Sequence, residues 1–244
     1  MDNALYVGLS RQITLQRELD ITANNIANAD TAGFKVEDLM TRSDPAAPAK
    51  TLGIRGPVTF VMDDGVARDF SQGGLHQTNG PLDVALDGQG FFKITTAAGE
   101  RYTRDGRFKL DPQGKLVTQS GDAVQGTGGD IVLDASKGPL TISDNGVISQ
   151  GTQKVGQLAV VKFDDLSSLE KDGSNLYRNT SNATPQTATT ASVKQGMLES
   201  SNVQPVVQIT HLIAVNRAYD AISNMMNNTA DLSRRSIQRL GAAN

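Results

Sequence analysis

Residues 206–240, VVQITHLIAVNRAYDAISNMMNNTADLSRRSIQRL, and residues 4–27, ALYVGLSRQITLQRELDITANNIA, decide the fold, because both set apolar side chains at helical spacing. The C-terminal stripe reads Ile209, Leu212, Val215, Tyr219, Ile222, Met226, Ala230, Ile237 and Leu240, with Leu232 joining it. The N-terminal stripe reads Leu5, Leu9, Ile13 or Leu15, Leu19, Ala23 and Ile26. Steps of three and four residues keep one face of a helix apolar, and over this length they approach a coiled-coil seam. Helices so far apart in sequence meet only if the middle of the chain folds back. The expected fold is α+β: long N- and C-terminal helices pairing as a coiled-coil-like domain, with a central antiparallel β-domain of short strands. This suits a subunit joined to copies of itself through its ends, and suits an enzyme poorly. The plainer alternative is that each stripe covers one chain's own core. Both helices are polar over much of their circumference, which favours an intermolecular role.

The run from Ala23 to Lys35, ANNIANADTAGFK, ends the first helix, since Asn and Asp compete for backbone hydrogen bonds and Gly33 supplies a reversal. Residues 41–57, with three prolines and two glycines, read as a loop. Val58–Met62 reads as a strand stopped by an Asp63-Asp64-Gly65 turn. From about 68 to 195 the period is two. Turn signals such as Asn79-Gly80, Asp87-Gly88, Asp105-Gly106 and Asn145-Gly146 separate short strands at 82–86, 91–95, 107–110, 116–118, 131–133, 140–142 and 156–163. Four segments are expected: 1–34 as the N-terminal helix of an inner axial domain, 35–70 as an extended linker or β segment, 71–195 as the central β-domain, and 196–244 as the C-terminal helix.

Composition narrows the function classes. At 244 residues the chain exceeds the usual single-domain length. Aromatics make up 5% with no Trp, and 38% apolar residues falls below the usual ~45–50% (a figure that counts Gly), so a monomer's own core is thin. Net charge is −3 without a Lys/Arg run, which argues against nucleic acid as a partner. Without cysteine there are no disulfides, thiolate zinc sites or Cys nucleophiles. Arg11, Gln12, Gln16, Arg17, Glu18 and Asp20 interrupt the first thirty residues, so no cleaved signal peptide is expected. No segment reaches the ~20 apolar residues of a membrane span, so no membrane insertion is expected.

Little in the sequence points to catalysis. The two histidines, His76 and His211, have no ligand partners at metal spacing. Asp63-Asp64 and Asp164-Asp165 are adjacent carboxylates, but neighbours on a strand face opposite ways and both pairs sit at turn signals. Gly126-Thr127-Gly128-Gly129 lacks the Lys-Ser/Thr of a phosphate cradle and reads as a loop. Neither a catalytic residue, a metal site nor a cofactor is expected.

Four segments resemble one family in the same order. Asn24, Asn25, Ala27, Asn28, Gly33 and Phe34 stand in a run similar to the "ANN-aliphatic-AN…T-x-GFK" signature of bacterial flagellar axial proteins, the rod and hook subunits. Leu82–Phe92 resembles the start of that family's β-domain. Tyr102–Phe108 with Asp111–Gly126 resembles its "YTR-x-G-x-F" and "D-x-x-G-x-L-V" run. Glu199–Val203 through Asn216–Asp220 resembles its C-terminal segment. Ala29-Asp30-Thr31-Ala32 departs from the family, which often has Asn and a second Thr there. Met1–Ser10 and the modest length look most similar to proximal-rod members; the distal-rod paralogue is the nearest rival. The resemblance implies a structural subunit of the flagellar basal-body rod, crossing the periplasm and transmitting torque. Its partners would be itself, other rod proteins, and the flagellar type III apparatus that exports it unfolded. A peptidoglycan-acting enzyme and a secreted β-rich adhesin are the competing classes. The implied assembly interface is Leu5, Leu9, Ile13, Leu19, Ala23, Ile26, Ile209, Leu212, Tyr219, Ile222, Met226, Leu232 and Ile237.

Overall fold

No proline interrupts residues 2–27, and the chain is helical over that whole span (α1). A computed structural model describes residues 2–49, 58–134, 137–181 and 183–241. The second helix, α2 (Pro205–Gly241), starts on a proline, whose fixed φ and missing N–H suit a first helical position. Its 37 residues extend about 55 Å at 1.5 Å per residue. No helix among the described residues is long and apolar enough to cross a membrane.

One compact unit holds α1, α2 and an antiparallel ribbon of β1 (Glu37–Ala49) and β2 (Val58–Arg68). The ribbon corrects two sequence expectations. Residues 41–49, read as part of a loop, continue β1. Its register slips between Asp44 and Ala49, the interval that holds Pro45 and Pro48, as expected where N–H groups are missing from a ladder. The expected Asp63-Asp64-Gly65 turn is instead a bulge inside β2. Met40 faces Gly65 and Thr41 faces Asp63, so Asp64 is the extra residue, and Gly65 takes φ +111. Turn-forming residues also serve a bulge, and local sequence does not separate the two. A two-stranded ribbon is marginal alone, and here α1 packs against both strands.

The second unit, residues 28–36 and 69–203, is the β-domain. Its strands are β3 (Leu75–Gln77), β4 (Val84–Asp87), β5 (Phe91–Thr96), β6 (Gly99–Thr103), β7 (Lys109–Leu110), β8 (Leu116–Val117), β9 (Ala123–Gly126) and β10 (Gly129–Asp130). They continue with β11 (Leu140–Ile142), β12 (Val147–Gln150), β13 (Gln153–Gln157), β14 (Val160–Lys162), β15 (Leu169–Lys171), β16 (Tyr177–Asn179), β17 (Gln186–Thr187), β18 (Ser192–Gln195) and β19 (Met197–Glu199). The main sheet runs β15-β16-β6-β5-β9-β8-β7, with β10 on β9 and β14 linking β5 to β17. A meander β11-β12-β13 and two pairs, β18-β4 and β19-β3, complete the unit, and these pairings are antiparallel. The main core gathers Val84, Leu86, Phe92, Ile94, Leu116, Val124, Ile148 and Val193. A second cluster sets Phe91, Tyr102 and Tyr177 edge to face with Phe70 and Phe163, and Leu169 joins it.

Two further strand expectations fail. Residues 131–133 form only an isolated bridge, Val132 to Lys115, and 156–163 splits at Leu158-Ala159 into β13 and β14. The central α+β plan holds. Helix α1 ends at Ala27, and residues 28–36 belong with the β-domain.

Candidate assembly interface

Within the helical unit the two helices run antiparallel. Asn25 Nδ2 donates to Gln208 Oε1 at 3.3 Å, and His211 Nε2 lies 3.1 Å from Glu18. Toward the other end of the pair, a side chain at Gly8 would meet Met226 at 3.0 Å. The face α1 turns inward is mostly small and polar around one leucine: Gly8, Thr14, Leu15, Thr22 and Asn25 are buried. Gly8, Leu15 and Thr22 recur every seven residues, which fits a close helix–helix approach. The buried hydroxyls bond back to their own helix, Thr14 to Arg11 O at 2.9 Å and Thr22 to Glu18 O at 2.7 Å, so neither remains unpaired.

The apolar stripe divides between this seam and the outside: Met226 meets Gly8 and Val215 is buried, while other members are exposed. Of its expected members, Leu9, Ile13, Ala23, Ile209 and Leu232 are exposed. Leu5, Leu19, Ile26, Leu212, Tyr219, Ile222 and Met226 are half-buried, and the side chain of Ile237 lies outside the described residues. Of the two options Ile13 and Leu15, Leu15 turns inward at 1% exposure and Ile13 outward at 61%. Sequence reasoning missed Tyr6, Val206, Val207, Ile213 and Met225, all large, apolar and exposed. Their signal was present: they fall beside the chosen stripe, and a wider apolar arc includes them. Scattered exposed apolar residues are ordinary, but a run of them along one helix marks a contact surface.

The family motif does local structural work. Asn25 acts as a short strand: its Nδ2 donates to Glu37 O at 2.7 Å and its Oδ1 accepts from Glu37 N at 3.0 Å. Glu37 in turn holds Arg68 at 2.7 Å, so one buried amide fixes where the ribbon starts against α1. Asn28 stops the helix, with Thr31 N donating to its carbonyl and the Thr31 hydroxyl to its Oδ1. Asn24 and Ala27 are exposed. Phe34 is buried, with the Lys171 ammonium 4.5 Å above its ring.

Gly33 sits at φ +67, and a Cβ there would lie 2.5 Å from the Arg104 backbone. Gly33→Ala should lower the stability of the β-domain by about 3 kcal/mol, combining left-handed strain with a backbone clash. Urea denaturation of the purified variant checks this; an unchanged midpoint contradicts it.

Beside Gly33 lies a buried charge network. Glu199 Oε1 accepts from Lys35 Nζ at 2.6 Å and from Gly73 N at 3.0 Å, while Oε2 accepts from Arg104 Nη1 at 3.1 Å. Lys35 also donates to Ser71 O, and Arg104 to Gly88 O. Burial pushes both the Lys35 ammonium and the Arg104 guanidinium below their usual pKa ranges, and the Glu199 carboxylate opposes it. Two cations thus share one buried anion.

The remaining polar candidates are held separately. Asp63 pairs with Arg17 and Asp64 with Arg42, while Asp164 accepts from Gln186 and Asp165 from Ser167, so neither pair converges. Gly126 and Gly129 close a two-residue hairpin. His76 reaches Ser200. Among the described residues no group of three or more His, Cys, Asp or Glu is placed to hold a metal ion.

Three family models match the chain: "Flagella basal body rod protein" over residues 5–35, "Flagellar hook protein FlgE/F/G D1 domain" over 85–150, and "Flagellar basal body rod FlgEFG protein C-terminal" over 194–239. These cover α1 with the Asn-rich motif, much of the β-domain, and α2. The flagellar basal-body rod protein FlgF of Caulobacter vibrioides is 59% identical over 245 residues, covering all of both chains. FlgF of Mesorhizobium japonicum is 34% identical over 99% of each chain. The rod protein FlgG of Bacillus subtilis is 32% identical over 95% of this chain and 97% of its own. Matched end to end by such relatives, and by family models at both helices and the β-domain, the chain belongs to the flagellar basal-body rod protein family.

Proposed function

We propose that this chain is a structural subunit of the flagellar basal-body rod, of the proximal type, which assembles with itself and its paralogues through its terminal helices and transmits torque across the periplasm. The observation that carries the assembly surface is the outward apolar arc: Tyr6, Leu9 and Ile13 on α1, and Val206, Val207, Ile209 and Ile213 on α2. Within one chain the inward face of α1 is mostly small and polar, which leaves these exposed apolar side chains for neighbours. A rod is an open head-to-tail assembly and needs two different contact faces on each subunit. Two helices with separate exposed arcs meet that need. In the assembled state the half-buried residues Leu5, Leu19, Ile26, Leu212, Tyr219, Ile222 and Met226 complete a coiled-coil-like packing. The subunit needs no cofactor and is delivered N-terminus first, as an unfolded chain, by the flagellar type III apparatus.

The test is position. A tagged copy in isolated basal bodies should map by electron microscopy to the rod segment nearest the inner membrane. A tag beside the hook would transfer the assignment to the distal-rod type, and a tag absent from the rod would overturn it.

A further inference from the structure

Residues 192–203, which end one residue short of α2, stitch the β-domain together. Strand β18 is the strand partner of β4, and β19 that of β3; among the described residues neither β3 nor β4 pairs with another strand. Gln195 donates to Pro81 O, 114 residues away, and to Leu140 O, while its Oε1 accepts from Ile142 N. Gly196 N donates to Asp83 O, and its carbonyl accepts from Thr78 N. Val193 enters the main core beside Val84 and Leu86. Glu199 O accepts from Gly33 N, and Asn202 Oδ1 from Val36 N, so the segment also holds residues 33–36. The Glu199 carboxylate is, among the described residues, the anion bonded to both buried cations, Lys35 and Arg104. Without this segment β4, whose Val84, Ala85 and Leu86 are buried, loses its ladder, and two charges are left inside the domain without the carboxylate they share.

We propose that this is an order-of-folding lock: the β-domain stays unfolded until residues 192–203 join it, although about four-fifths of the chain precedes them. A chain that emerges N-terminus first cannot close the domain early, because what closes it comes late. The use of the lock rests on the reading above of delivery as an unfolded chain; its existence does not. The cause is topological. Contacts across more than a hundred residues carry a loop-closure penalty that is repaid only when the distant strand docks.

The test uses ribosome-bound chains of the natural sequence, stalled behind a flexible spacer whose length sets how much of the chain is outside the tunnel. Limited proteolysis should cut within residues 69–190 when emergence ends at 190. A protected β-domain should appear once residue 203 is out, with cleavage slowed at least tenfold. Full protection with only residues 1–190 exposed would overturn the lock. Released full-length chain carrying Glu199→Gln should be cleaved at least tenfold faster than the natural chain, and Glu199→Asp should lie between them. Equal rates for all three would remove the charge network from the lock. Protection before residue 192 emerges leaves the rod reading standing, whereas a tag found outside the rod leaves the lock standing.

Discussion

Ile13→Asp and Ile209→Asp should each abolish swimming while leaving the folded monomer intact. Both side chains are about half or more exposed in the single chain, so neither substitution disturbs its packing, and the change in monomer stability should stay within about 0.5–1 kcal/mol. At an apolar contact between subunits each would bury an unpaired carboxylate, at several kcal/mol per contact. Because an assembly repeats its contacts, that penalty recurs at each copy. The check pairs a soft-agar motility assay with thermal unfolding of the purified variants. Normal swimming would remove these residues from the interface. Lost swimming with a collapsed melting temperature would show that they serve the chain's own fold. Leu19 and Ile222 are poorer probes, because both are half-buried and a charge there mixes folding with assembly.

Glu199→Ala should lower the stability of the β-domain by about 3–5 kcal/mol, because it removes the carboxylate that two buried cations share. Its urea midpoint should fall by roughly 1–3 M at an ordinary m-value. Lys35→Met should be milder, since Glu199 keeps Arg104 and the Gly73 N–H and a fully buried methionine fills similar space. Equal losses for the two variants would mean that the network acts through the Lys35–Glu199 pair alone. Urea titrations followed by near-UV dichroism of the β-domain tyrosines would separate these outcomes.

The two helices were legible because periodicity survives without knowledge of neighbours: α1 and α2 fall where steps of three and four residues recur. The ends of many short strands were legible from Gly pairs, as at Asp87-Gly88 and Asn145-Gly146, where positive φ demands them. Less legible was the direction each helical face would turn. Ile13 and Leu15 compete for the same stripe. Leu15 turns inward together with Gly8 and Thr22, since a small residue lets a neighbouring element approach while a hydroxyl can satisfy itself on its own backbone. The ribbon was half missed for a related reason. Pro45, Pro48 and Asp63-Asp64-Gly65 are loop signals by propensity, yet slipped register and a bulge accommodate them once α1 supports the strands.

By itself, then, the sequence determined the α+β class, the terminal position of the helices, and, through the ANNIAN and GFK runs, the family. Each is a local property or a pattern of local properties. Tertiary structure alone decided that Asn25 would serve as a strand for Glu37, and that Lys35, Arg104 and Glu199 would share one buried site. It also decided that residues 192–203 would hold strands laid down more than a hundred residues earlier. Those arrangements depend on which distant segments meet. Their energies come from burial and charge pairing that exist only after the meeting, so no local pattern carries them.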